Sequence, residues 1–178
     1  MLKRLMISFL VLLMIYSAFV VGFRLFEPEK EEIYQTSLDT TVVDYASARN
    51  YTLSSGASSV HCYFFCSPQN DDCTYMENTV MRTVENDTGV RMSEIFEYID
   101  VTALESTNDL NRLKEEWGLD DCPGFVLCHV QDQEIIIDST LSWDSSRPLS
   151  VFELKQWLRA NNLYDAREDE TEIEQPVS

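Results

Sequence analysis

Polar and apolar positions alternate along this chain in a pattern that predicts two strand–helix units followed by a hairpin and a last helix. The run Val60-His61-Cys62-Tyr63-Phe64-Phe65 reads as a short buried strand. A helix follows from about Asp72 to Asn86, because Met76, Val80 and Val84 recur every four residues. A second strand is predicted over Ile95–Val101, with Ile95, Ile99 and Val101 apolar. Ser106-Thr107-Asn108-Asp109 offers helix N-caps, Leu110, Leu113 and Trp117 share the next helix face, and Gly118 suits its C-cap. Phe125–Val130 and Glu134–Asp138 read as strands joined by the turn Gln131-Asp132-Gln133. Ser150-Val151-Phe152-Glu153 is a capping box opening a helix whose Val151, Leu154, Trp157 and Leu158 form the buried side.

Two strand–helix units imply parallel pairing, and the hairpin adds an antiparallel edge. The expected fold is α/β: a four-stranded mixed sheet flanked by helices on both faces. Ahead of it, Ser37–Asn50 predicts a short helix with Leu38, Val42, Val43 and Ala46 on one side, and residues 51–59 a loop. The division expected is a membrane anchor over 1–26, a juxtamembrane spacer over 27–58, one domain over 59–164 and an acidic disordered tail over 165–178.

The anchor follows from the 19-residue uncharged run Leu5–Phe23, bounded by Lys3, Arg4 and Arg24. As a helix it nearly matches a hydrocarbon core of roughly 30 Å. Its best small-residue cleavage site, Val20-Val21-Gly22, is poor, which favours an uncleaved transmembrane helix. Basic residues before the run and Glu27, Glu29, Glu31 and Glu32 after it predict a cytoplasmic N-terminus and an extracytoplasmic domain. Beyond residue 26 there are 10 basic and 31 acidic residues, a net charge of −21. Such a field repels nucleic acid and anionic lipid surfaces.

Five cysteines fall in the predicted domain, at 62, 66, 73, 122 and 128. An odd number leaves at least one unpaired within a monomer. Cys73 opens the first predicted helix, where unpaired amides favour a thiolate. Asp71 and Asp72 oppose that, because neighbouring negative charge disfavours the ionised sulfur. Cys62 and Cys128, on neighbouring strands, read as small buried apolar residues. Adjacent strand residues face opposite ways, so at most two of His61, Cys62, Cys128 and His129 share a side, too few for zinc. No metal site or cofactor is expected. Asn50-Tyr51-Thr52 and Asn86-Asp87-Thr88 match the glycosylation acceptor pattern. The three tryptophans read as packing residues, with Trp143 an alternative groove rim.

Over roughly residues 59–164 the chain resembles the thioredoxin-like superfamily. The resemblance is carried by Tyr63-Phe64-Phe65…Cys73-Thr74-Tyr75-Met76, by the Cys122-Pro123 step before a strand, and by the closing hairpin and helix. It implies that Cys73 matches the attacking thiol of a C-x-x-C motif, that Met76 stands at the resolving position, and that Pro123 is the cis-proline facing the site. A residue before that proline lies beside the first active-site cysteine, so Cys122 is a candidate replacement partner. A Cys73–Cys122 bond would close a long loop and stabilise the domain by roughly 4 kcal/mol in the chain-entropy model. Cys66 is the other candidate partner, through a disulfide that would cap the loop and block Cys73 at rest. The function implied is extracytoplasmic thiol–disulfide exchange with a protein client or redox partner. The alternative is a catalytically degenerate thioredoxin-like binding module.

Overall fold

The computed structural model describes residues 38–164, together with Met14. The chain divides into two units, Met1–Tyr34 and Gln35–Ser178. The expected anchor (1–26) and acidic tail (165–178) lie outside the described residues. Among the described residues, no helix is long and apolar enough to cross a membrane.

A mixed sheet of five strands organises the second unit, in the order β1-β3-β2-β4-β5. Strands β2 (Val60–Cys66) and β3 (Glu97–Asp100) pair in parallel, with Phe64 opposite Tyr98. Strand β4 (Gly124–Gln131) runs antiparallel to β2, and β5 (Glu134–Ser142) antiparallel to β4. The β4–β5 turn places Asp132 and Gln133 at positive φ, the conformation a two-residue hairpin requires.

The fifth strand corrects the expectation of four. Val42–Asp44 forms β1 and pairs in parallel with β3, where a helix over 37–50 was expected. Two adjacent valines favour extended backbone, and Thr40 fixes the approach by donating its hydroxyl to the Phe96 carbonyl at 2.6 Å. The helix starts only at α1 (Tyr45–Ser54), capped by Asp44, whose carboxylate accepts from Ser47 N at 3.1 Å. It also runs through Tyr51–Ser54, which the Ser- and Gly-rich run 54–58 leads the sequence reading to assign to a loop.

The long helix after β2 has three parts: α2 (Asp71–Tyr75), a π-helical stretch (Met76–Met81) and α3 (Arg82–Thr88). Its four-residue spacing of Met76, Val80 and Val84 survives because all three reach the core. A short turn α4 (Met92–Ile95) replaces the start of the predicted second strand. After β3 comes α5 (Thr102–Thr107), absent from the periodicity reading, and then α6 (Asn111–Trp117), which ends on Gly118 at φ 70°. The last helix, α7 (Val151–Ala160), has both reciprocal bonds of the Ser150/Glu153 capping box.

Side-chain alternation along the strands builds two cores. Phe64, Tyr98 and Phe125 point to one face, under the π-helical stretch, α3 and α7. Phe64 stacks on Phe125 at 4.9 Å, and Tyr98 meets Phe64 edge-on at 5.6 Å. Tyr63, Phe65, Ile99 and Val126 point to the other face, under α1, α5 and α6. There Trp117 contacts Tyr63 at 5.6 Å and Phe65 at 5.1 Å. Full burial of each such side chain is worth about 1.5–3 kcal/mol, which makes β2 the spine of the unit.

Candidate functional site

The carboxyl ends of the parallel strands β2 and β3 lie side by side, and Asn70, in the loop after β2, reaches both the Cys73 amide and the Cys122 sulfur. Cys66 is the last residue of β2, paired with Asp100 at the end of β3. The chain then crosses Ser67, Pro68 and Gln69 to Asn70, the N-cap of α2. The Asn70 side-chain oxygen accepts from Asp72 N at 2.9 Å and Cys73 N at 3.3 Å. Cys73 therefore stands at the third helical position, turned inward. It is disulfide-bonded to Cys66, with Cα atoms 5.7 Å apart. Both residues have no exposed surface. Ser67 N donates to Cys73 Sγ at 3.1 Å, which ties the loop backbone to the bond.

The Cys122–Pro123 peptide, just before β4, is cis. Cys122 is a free thiol with 3% of its surface exposed. Its Sγ donates to Glu105 Oε1 at 3.4 Å, and Asn70 Nδ2 lies 4.0 Å from the same sulfur. Asn70 Nδ2 also donates to Glu105 Oε1, at 2.6 Å. Burial pushes the Cys122 thiol far above the ordinary thiol value, and the charge and hydrogen-bond acceptance of Glu105 push it further.

The sequence reading placed the attacking thiol at Cys73, with Cys122 or Cys66 as its partner. The observed partner is Cys66, and Cys122 remains a separate thiol. The residue beside Cys122, at the start of the helix, is Asn70 rather than a cysteine. Cys73, which the resemblance matched to the attacking thiol, sits three residues further on, inside the helix and turned into the core. Met76, read as the resolving position, is fully buried and opens the π-helical stretch in the core.

A small polar network supports the site from β3. Ser67 Oγ and Thr102 Oγ1 are 3.0 Å apart, and Thr102 donates both its hydroxyl and its N–H to Asp100 Oδ1, at 2.6 and 2.9 Å. Val101 N donates to the Cys66 carbonyl at 3.0 Å. Trp143 closes the side next to the proline: its backbone N–H donates to the Pro123 carbonyl at 3.1 Å, and its ring meets exposed Tyr75 edge-on at 6.2 Å. All three tryptophans are buried.

The remaining cysteines stand apart from this site. Cys62 and Cys128 are buried and free, on opposite faces of the sheet. Burial raises both thiols, Cys128 up to about 12. His61 Nδ1 instead pairs with Glu97 Oε1 at 2.7 Å. Among the described residues, no three His, Cys, Asp or Glu side chains are grouped as metal ligands.

No protein-family model and no curated protein matches this chain in sequence. Solved structures are similar to it. A thioredoxin from Thermus thermophilus is 17% identical over 78% of this chain and 98% of its own, with a TM-score of 0.44. A thioredoxin from Plasmodium falciparum is 9% identical over 69% of this chain and 90% of its own, with a TM-score of 0.39. The fold itself is a five-stranded mixed sheet with a core on each face and a cis Cys122–Pro123 peptide before β4.

Two site residues escaped the sequence reading. Asn70 had a signal, an N-cap residue type three positions before Cys73. Glu105 had none, being one of 31 acidic residues until the fold places it on Cys122.

Proposed function

We propose that this chain is a thioredoxin-like thiol–disulfide protein whose redox couple is Cys66–Cys73. The observation that carries the reading is the disulfide itself, bonded across the loop between β2 and α2, whose Asn70 reaches Cys122 of the cis Cys122–Pro123 peptide. A client thiolate attacks Cys73 Sγ, a client–Cys73 bond forms, and Cys66 leaves as a thiolate that takes up a proton. A second client thiol then attacks the client sulfur and releases Cys73. The client ends oxidised and the Cys66/Cys73 pair reduced; the reverse sequence reduces a client disulfide. Because neither sulfur is exposed, the Ser67–Asn70 loop has to open before a client thiolate arrives in line with the bond.

The Leu5–Phe23 run supports placing the chain at a membrane, N-terminus inside, with the domain on the extracytoplasmic side, where disulfides persist. The excess of acidic residues favours a protein client over nucleic acid. An insulin-reduction assay tests the activity: the native chain should reduce insulin with dithiothreitol as electron source, and Cys73→Ser should not. Equal rates for the two would refute it.

A second reading is a binding module that exchanges no electrons. It is favoured by the full burial of both bonded cysteines and by Asn70 at the helix start. It predicts client capture that persists unchanged in Cys73→Ser.

A further inference from the structure

We propose that Cys122 is a third, gated thiol that exchanges into the Cys66–Cys73 bond, and that Glu105 is the residue that holds it back. The proposal rests on the reading of Cys66–Cys73 as an exchangeable bond and adds the regulation of that site.

The geometry brings the participants together. One side chain, Asn70, touches both partners of the exchange: its oxygen accepts from the Cys73 amide, and its nitrogen stands 4.0 Å from Cys122 Sγ. Glu105 Oε1 accepts from both the Cys122 thiol and Asn70 Nδ2. That carboxylate therefore fixes the Asn70 amide against Cys122 Sγ and accepts the hydrogen bond of the Cys122 thiol. The other ionisable groups acting on this thiol lie on different elements. Asp121, its own neighbour, accepts from Cys122 N at 2.8 Å and adds negative charge nearby. From β3, the buried Tyr98 hydroxyl is within the electrostatic reach of Cys122, Glu105, Asp100 and Glu77. The charged groups acting on this thiol, Glu105 and Asp121, are both acidic, and with burial they outweigh the one favourable backbone hydrogen bond until Glu105 is neutralised or displaced.

The step needs no outside oxidant. The Cys122 proton passes to water, and the thiolate attacks Cys73 Sγ. The Cys73–Cys122 bond forms as the Cys66–Cys73 bond breaks, and the released Cys66 thiolate takes up a proton. One disulfide and one thiol remain throughout; only their places change. Asn70 has to swing out for the sulfurs to align, and a client that engages Asn70 or Glu105 would release the gate.

The test incubates the oxidised full-length chain without reductant over roughly pH 7–10, the ordinary thiol range. N-ethylmaleimide then traps free thiols, and mass mapping locates them. Chains with alkylated Cys66 and a Cys73–Cys122 link should accumulate as pH rises. In Glu105→Gln they should accumulate several-fold more at neutral pH, with the pH midpoint for Cys122 alkylation moved down. A residue that merely braces the fold would not move that midpoint. As a second variant, Cys66→Ser should form the Cys73–Cys122 link when treated with oxidised glutathione. If Cys122 alone is alkylated at every pH, with an unshifted midpoint in Glu105→Gln, or if Cys66→Ser never forms the link, the proposal is overturned. Failure of the client reaction shows separately, as insulin turnover unaffected by Cys73→Ser.

Discussion

Asn70 and Glu105, 35 residues apart, meet at 2.6 Å and join the cap of the cysteine-bearing helix to the acceptor of the Cys122 thiol. Asn70→Ala should remove the cap and this bond together. A lost cap costs about 0.5–2 kcal/mol, so the urea midpoint should fall accordingly. Asn70→Asp keeps a capping oxygen but sets a second carboxylate against Glu105. Its deficit should grow as pH rises through the carboxylate range, which unfolding at two pH values would show.

The Cys66–Cys73 bond closes a short loop, with the cysteines seven positions apart. In the chain-entropy model its removal costs about 2–3 kcal/mol. Cys66→Ser and Cys73→Ser should each lower stability by that amount and leave the fold intact by circular dichroism.

Tyr98 is fully buried, and its hydroxyl has no hydrogen-bond partner among the described residues. Removing an unpaired buried hydroxyl while keeping the ring removes a desolvation cost. Tyr98→Phe should therefore be neutral or stabilising by up to about 1 kcal/mol, measured by thermal or urea unfolding.

Gly124 follows the cis-proline, and a Cβ there would stand 2.8 Å from a Leu119 methyl and 3.2 Å from the Asp121 carbonyl. Leu119 can yield, but the backbone oxygen cannot do so without moving the Cys122 loop. Gly124→Ala should cost about 1–3 kcal/mol and raise the rate at which Cys122 is alkylated.

His129 on β4 pairs with Asp138 on β5 at 2.8 Å, and the hydrogen bond to Asp138 raises its pKa above the ordinary value. The stabilisation is then fully present below the unfolded value, about 6.5, and is lost as pH rises through the raised folded value. Asp138→Asn should flatten that part of the stability–pH curve, and an NMR titration of His129 should return toward the ordinary value.

The sequence was most readable where one period dominated. The central strand, the hairpin, the Ser150 capping box and the Gly118 C-cap are local signals and appear in the structure as expected. Strand β1 was missed because three residues are too few to show a period, and Val42 and Val43 satisfy a helical face equally well. Helix α5 carries only Leu104 as a buried residue, so it shows no apolar stripe. At the site, the sequence presented Cys66, Cys73, Cys122 and Pro123, and the resemblance tied the last three together. Which cysteine pairs with Cys73 depends on how the loop turns at Asn70, a three-dimensional fact that spacing does not encode.

The most direct test of the redox account is differential alkylation of the folded full-length chain with mass mapping, before and after mild reductant. The account predicts that Cys66 and Cys73 are both protected before treatment and both alkylated afterwards, while the chain stays folded and the bond re-forms when the reductant is removed. A Cys66–Cys73 bond that resists reductant until the chain is denatured would contradict it and leave a structural staple in its place.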